Sequence, residues 1–247
     1  MTRLYSTTFD GSQKTDRHLT PPMTPLVDIH THNPALYDNV ISLLSVRAGV
    51  DASTIRHYPF SVGVHPWDAA TVQNPTDLLN DFLKLHPAAI GEIGLDSLHD
   101  NSNLNVQLSL LQDQLAFAQL HNLPVIIHSV RTLQQILALL DKFPTLTAIF
   151  HSFIGNRIQA QSIIRRGHFI SAGLTSLASP KTLDALSCVP LDRLFLETDD
   201  CGCQILHIYN YAASALNIPL STLTQQLYSN FLLIFKQHGN SNLGSTH

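Results

Sequence analysis

Residues 26–32 read Leu26-Val27-Asp28-Ile29-His30-Thr31-His32, an apolar run that ends in two histidines one residue apart. In a strand, residues i and i+2 point to the same face, so a β reading lets both imidazoles leave one strand end and meet one metal ion. Two histidines in a polar turn would read the same way locally. The rest of the chain decides between them, because comparable residues end other apolar runs.

Working outward, eight short apolar runs stand at 27–32, 40–46, 60–65, 89–95, 124–128, 146–151, 168–171 and 194–199. Amphipathic stretches expected to be helical follow from the third run onward, at 75–85, 104–121, 133–142, 157–166, 180–187, 207–216 and 221–236. Ser179-Pro180 offers an N-cap with proline at the first helical position, and Leu108, Leu111, Leu115 and Ala118 form an apolar stripe at helical spacing. Eight strands in 247 residues match a (β/α)8 barrel, whose usual length is about 250 residues. The expected fold is therefore α/β, a TIM-type barrel over residues 26–238, with an N-terminal arm at 1–25 and a C-terminal tail at 239–247. Only residues 33–39 join the first two runs, whereas a parallel crossover usually takes a dozen or more. The barrel is thus expected to be distorted by eroded first crossovers, the gap being covered by the arm or by another subunit.

The charged fraction is 13%, well below the usual value of about 25%, and the formal net charge is −4. Such a chain has no global basic field for holding a long polyanion, so any nucleic acid must bind locally. Three cysteines, Cys188, Cys201 and Cys203, are too few for a disulfide framework; two small free thiols in a loop are the simpler account of Cys201 and Cys203, with metal binding as the alternative. Residues 1–25 lack the apolar core of a secretory signal and no run is long enough to span a bilayer, so the expectation is a soluble, cytoplasmic protein with no membrane partner.

The chemistry lies in where the ligand-type residues fall. His30, His32, His65, Glu92, His128, His151 and Asp199 all lie within or at the end of apolar runs. In a barrel those ends converge on one face, where active sites are assembled from separate strands. Singly, each has an ordinary explanation: a satisfied polar histidine, a helix cap for Glu92, an arginine partner for Asp199. Together they supply imidazoles and carboxylates with no matching set of buried bases, which a shared metal site explains more simply.

In order along the chain, Asp28-Ile29-His30-Thr31-His32, Gly63-Val64-His65-Pro66, Gly91-Glu92-Ile93-Gly94-Leu95-Asp96, Gln107 with Gln114, Leu123-Pro124-Val125-Ile126-Ile127-His128, His151-Ser152-Phe153-Ile154-Gly155, Glu197-Thr198-Asp199, and Asn230 with Phe235 resemble the motifs of the TatD-type metal-dependent deoxyribonucleases of the amidohydrolase superfamily. The likeness runs from about residue 26 to 236. It implies a cytoplasmic hydrolase that cleaves phosphodiester bonds, in DNA that is single-stranded or at an end, with water activated by two divalent ions (Mg, Mn, Zn, Ni or Fe). Carried over by motif, Glu92 bridges the ions, His30, His32 and Asp199 complete one set of ligands, and His128 with His151 the other; Asp199 also accepts the proton of the attacking water. His65 is either a phosphate contact or a structural turn residue, Arg131 either a phosphate contact or a helix-surface cation, and Glu197 an orienting carboxylate behind the ligands. Hydrolysis of a small-molecule ester or amide is the alternative activity, since the same centre polarises a carbonyl. A barrel kept as a binding or scaffold module is a third reading, and the full ligand set argues against it.

Three departures from the family pattern bear on substrate. No proline comes shortly after Glu197-Thr198-Asp199; Asp200, Cys201, Gly202 and Cys203 lead quickly to the next helix instead. Arg131 stands one position later than the family's His-Ser-Arg, and the first crossovers are short. Asp200 adds a negative charge that repels a phosphodiester unless bound cations outweigh it.

Overall fold

The computed structural model describes residues 24–34, 39–50, 55, 58–99 and 103–235. Most of the expected arm and all of the expected tail lie outside these residues. Eight parallel strands follow one another in sheet order as they do in sequence: β1 (Leu26–Thr31), β2 (Val40–Arg47), β3 (Phe60–Gly63), β4 (Ala89–Asp96), β5 (Val125–Val130), β6 (Ala148–Phe150), β7 (Phe169–Ala172) and β8 (Leu194–Leu196). The sheet closes where Asp199 N–H donates to the His30 carbonyl at 2.9 Å and His32 N–H to the Asp199 carbonyl at 3.3 Å. The helices are α1 (Pro75–Leu83), α2 (Leu104–Leu120), α3 (Leu133–Leu140), α4 (Arg157–Ile164), α5 (Leu174–Ala178), α6 (Pro180–Leu186), α7 (Ile205–Ala215) and α8 (Leu220–Phe235). This is the (β/α)8 barrel expected from the alternation of runs.

β2 is a strand parallel to β1, and no helix lies between β1 and β3 among the described residues. The link 32–39 can reach about 28 Å when extended, enough to run back along a six-residue strand of about 20 Å. Three of the later helices start where a side chain caps them. Asn74 accepts from Thr76 and Asp77 N–H ahead of Pro75, Asn156 and Gln159 form a reciprocal capping box, and Ser179 accepts from Thr182 N–H ahead of Pro180. The five-residue α5 is too short to leave a periodic signature, and it is absent from the sequence reading.

The core has layers that lead to the site. Ile126, Ile149 and Phe195 pack in one buried cluster with Val27, Ile29 and Phe169. Two residues further along the same strands, hence on the same face, stand His128, His151 and Glu197. A barrel interior filled by apolar side chains below thus gives way to ionisable ones at the C-terminal rim. Two register shifts interrupt the ladders, between Asp28 and Thr31 in β1 and between Ile90 and Ile93 in β4. Bulges re-aim side chains, and these two contain His30 and Glu92. Gly94 has φ +154°, and a Cβ there would stand 1.9 Å from the His128 carbonyl oxygen, so only glycine lets β4 approach β5 this closely.

Candidate metal centre

Glu92 sits at the middle of the rim with its two oxygens facing different partners. Oε2 stands 3.4 Å from His30 Nε2 and 3.8 Å from His32 Nε2, and those two nitrogens stand 3.6 and 3.5 Å from Asp199 Oδ1. Oε1 stands 2.7 Å from His128 Nδ1, 2.8 Å from His151 Nε2 and 3.2 Å from His65 Nε2. The structure therefore gathers His30, His32, His65, Glu92, His128, His151 and Asp199 from six strand ends, with Glu197 behind His151 at 3.6 Å. Arg131 is also at the rim, just beyond β5, but it is exposed and no hydrogen bond or ion pair among the described residues joins it to the cluster.

The donor set fits divalent cations. His30 is fully buried, yet neither ring nitrogen makes a hydrogen bond, an expensive arrangement for a buried imidazole without a further partner. An ion with tetrahedral bonds near 2.1 Å spaces its ligands about 3.4 Å apart. The separations of 3.4 to 3.8 Å among His30, His32, Glu92 Oε2 and Asp199 match that edge. His128, His151 and Glu92 Oε1 form the second group of converging donors, with the two imidazoles 3.3 Å apart. Asp200 is close enough to His32 and Asp199 to share a ligand group with them.

The protonation pattern follows from burial and neighbours. Burial pushes the Glu92 carboxyl up, but the charge of His151 and hydrogen bonds from His128 and His151 outweigh it and hold it well below the usual range. Burial pulls His151 down, and Glu92 and Glu197 overcome this, leaving it well above an ordinary histidine. Burial, with His30 alongside, lowers His32, and burial lowers His65. For His65 the tautomer is also fixed. Trp67 N–H donates to its Nδ1 at 3.2 Å, so the neutral ring carries its proton on Nε2 and donates toward Glu92 Oε1. A ring whose inward nitrogen holds a proton is a donor, not a ligand.

Supporting residues lock these groups. Asp28 accepts from Thr198 N–H at 2.9 Å and Thr198 Oγ1–H at 2.6 Å, tying β1 to the turn that carries Asp199. Burial pushes the Asp28 carboxyl up to about 7 against those two hydrogen bonds. Ser152 N–H donates to Glu197 Oε1 at 2.6 Å, and its hydroxyl lies 3.3 Å from Asp199 Oδ2. Arg131, Ser152 and Asp199 all have positive φ, 57°, 45° and 51°, so the chain turns through a left-handed residue as it leaves three strand ends.

One carboxylate escaped the sequence reading. Asp96 Oδ2 lies 3.2 Å from His128 Nε2 and accepts from Trp67 Nε1–H at 2.9 Å. Burial raises its pKa, but Trp67, the His99 and Leu98 amides and His128 bring it down to about 2. The signal was available, since Asp96 closes the same motif that Glu92 opens. The expectation of free thiols is corrected as well: Cys201 and Cys203 are joined in a disulfide, their Cα atoms 5.2 Å apart, a separation that the tight loop after Asp199 imposes and that a disulfide spans.

Comparison with known proteins agrees with this geometry. Residues 51–236 match the family described as TatD related DNase. The Escherichia coli protein named "Uncharacterized metal-dependent hydrolase YjjV" is 34% identical over 149 residues, 56% of each chain. An Enterobacter lignolyticus protein named "3'-5' ssDNA/RNA exonuclease TatD" is 33% identical over 150 residues, also 56% of each. The chain thus spans little more than half the length of these curated relatives. The crystal structure of YJJV from Escherichia coli superposes with a TM-score of 0.75 at 25% identity, covering 85% of this chain and 98% of that one. A TatD family hydrolase from Entamoeba histolytica superposes with a TM-score of 0.73 at 18% identity over 86% of this chain and 98% of its own, a likeness of fold alone. Because the family match runs from ahead of β3 to just past the end of α8, and takes in Glu92, His128, His151 and Asp199, the chain belongs to the TatD related DNase family.

Proposed function

We propose that the protein is a metal-dependent phosphodiesterase that cleaves DNA, single-stranded or from an end, at the rim centre. The observation that carries this reading is the division of Glu92, one oxygen toward His30 and His32 and the other toward His128 and His151. In this reading two divalent ions would be held here, one by His30, His32 and Asp199 and the other by His128 and His151, with Glu92 serving both. When bound, such a pair supplies Lewis acidity that makes water nucleophilic at neutral pH and offsets charge on the phosphoryl oxygens.

The side chains then have distinct tasks. Asp199, with Oδ1 facing His30 and His32 and Oδ2 facing the Ser152 hydroxyl, orients the attacking water and takes its proton. His65 donates its Nε2 proton to a non-bridging phosphate oxygen, giving up Glu92 as acceptor when substrate arrives. Arg131, an exposed cation at the rim, pairs with a phosphate of the incoming strand. Glu197 holds the Ser152 turn and faces His151 Nδ1, fixing the ring that Glu92 also contacts. The net charge of −4 favours local binding of an end or a single strand over tight binding along duplex.

Labelled single-stranded and duplex DNA incubated with the purified chain, with and without Mg2+, Mn2+ or Zn2+, tests the reading. Expected is cleavage of single strands that requires metal and disappears in Glu92→Ala. Metal-dependent turnover of carboxylic esters without DNA cleavage would transfer the same centre to small-molecule hydrolysis.

A further inference from the structure

Trp67 is the only tryptophan of the chain, and the residue is 46% exposed beside the candidate centre. Single exposed aromatics are common and carry no message, but this one is fixed from several sides. Its Nε1–H donates to Asp96 Oδ2 at 2.9 Å, the oxygen that also faces His128 Nε2 at 3.2 Å. The edge of His65 meets it at a centroid distance of 4.8 Å, and the exposed His99 ring lies almost flat on it, 4.4 Å away with 17° between planes. The Arg47 guanidinium stands 5.8 Å from the indole centroid, held by both oxygens of Asp68 at 3.0 and 3.2 Å. The rim therefore carries an ordered aromatic stack with a cation beside it, one carboxylate away from a candidate ligand.

We propose that the stacked Trp67–His99 pair is a nucleobase-binding subsite that seats the base next to the phosphate being cleaved. The inference rests on the nucleic-acid reading above and adds to it the group that holds the base. Bases of single strands bind proteins chiefly by stacking on aromatic rings, with arginine adding cation–π attraction. The indole, already held by its hydrogen bond to Asp96, loses little conformational freedom on doing so. The distance suits the role: the indole and His128 centroids are 6.3 Å apart, so a nucleotide with its phosphate among the histidines brings its base to the pair. The indole N–H is occupied by Asp96 and one indole face by His99, which leaves stacking on the outer surfaces of the pair as the means of recognition and makes the subsite tolerant of base identity.

The lone tryptophan makes the test direct. With metal chelated so that nothing turns over, indole emission is followed on adding a single-stranded oligodeoxyadenylate, then an abasic deoxyribose-phosphate chain of equal length. Saturable quenching by the first and none by the second is expected. In anisotropy titrations, Trp67→Ala weakens the base-bearing strand about tenfold and leaves the abasic chain unchanged, Trp67→Phe restores most of the loss, and His99→Ala falls between. Equal quenching by both chains, or a Trp67→Ala protein that melts normally and binds the base-bearing strand as wild type does, overturns the subsite. The two readings fail separately: base-dependent quenching without cleavage under any metal sustains the subsite and removes the nuclease assignment, whereas DNA cleavage with base-independent binding removes the subsite alone.

Discussion

Glu197 shows how much of a candidate centre lies behind the residues proposed as its ligands. It is fully buried, accepts the short Ser152 amide hydrogen bond, and faces His151 Nδ1, a nitrogen with no hydrogen bond of its own. Exchanging such an orienting carboxylate typically costs ten- to a hundredfold in metal affinity or activity, so Glu197→Gln should weaken metal uptake, read by titration calorimetry, by about that factor without emptying the site. His65→Asn separates the two roles left open for His65. If the Nε2 proton contacts phosphate, KM for DNA rises by about tenfold while metal content is unchanged, because His65 is a donor rather than a ligand. At this scale the sequence was readable wherever a residue ended an apolar run. Asp96 was missed because its partners, Trp67 and His128, lie 29 and 32 positions away.

The helix α2 acts as a jig for two strand ends. Gln114 donates to the Val64 carbonyl at 3.0 Å and accepts from Val64 N–H at 2.7 Å, fixing the residue before His65. One turn-pair earlier on the same buried face, Gln107 makes the matching pair of bonds to the Asp96 backbone at 3.1 and 2.8 Å. The apolar stripe of this helix reads as core packing, and that is correct for Leu111, Leu115 and Ala118. The glutamines position the backbone on which His65 and Asp96 stand. Gln114→Met keeps the volume and strands two buried backbone groups, at about 1–3 kcal/mol each. The urea midpoint should fall accordingly with an unchanged m-value, and Gln107→Met should behave alike. The helix was legible in sequence from its period; its clamps were not, since a glutamine on an apolar face has no local signature of what it holds.

Across the whole molecule, the site and the far end of the barrel answer to pH separately. His168, just ahead of β7, is buried, accepts from Ala148 N–H at 3.4 Å, and is lowered to about 4 by burial with Arg166 adding to it. A histidine neutral in the fold protonates more readily when unfolded. Its contribution is therefore complete above about pH 6.5 and is lost as pH falls toward 4, amounting to about 3 kcal/mol at full linkage. His168→Gln should flatten the fall of Tm between pH 6.5 and 4 while leaving metal binding at pH 7.5 intact. A slope unchanged by the substitution would place the acid sensitivity elsewhere, with Asp96 acting only lower, between its usual value near 4 and about 2.

Alternation of apolar runs with amphipathic stretches set the barrel, and the position of His30, His32, Glu92, His128, His151 and Asp199 at run ends set the rim, because strand period and strand end are local properties written in adjacent residues. Only the tertiary structure decided which oxygen of Glu92 faces which histidines, which nitrogen of His65 holds the proton, and that Trp67, Asp96 and His99 meet. Those contacts depend on two bulges, a short first crossover and the registers between neighbouring strands. They bring together residues tens of positions apart by distances of a few ångströms, and no periodicity within one element specifies that.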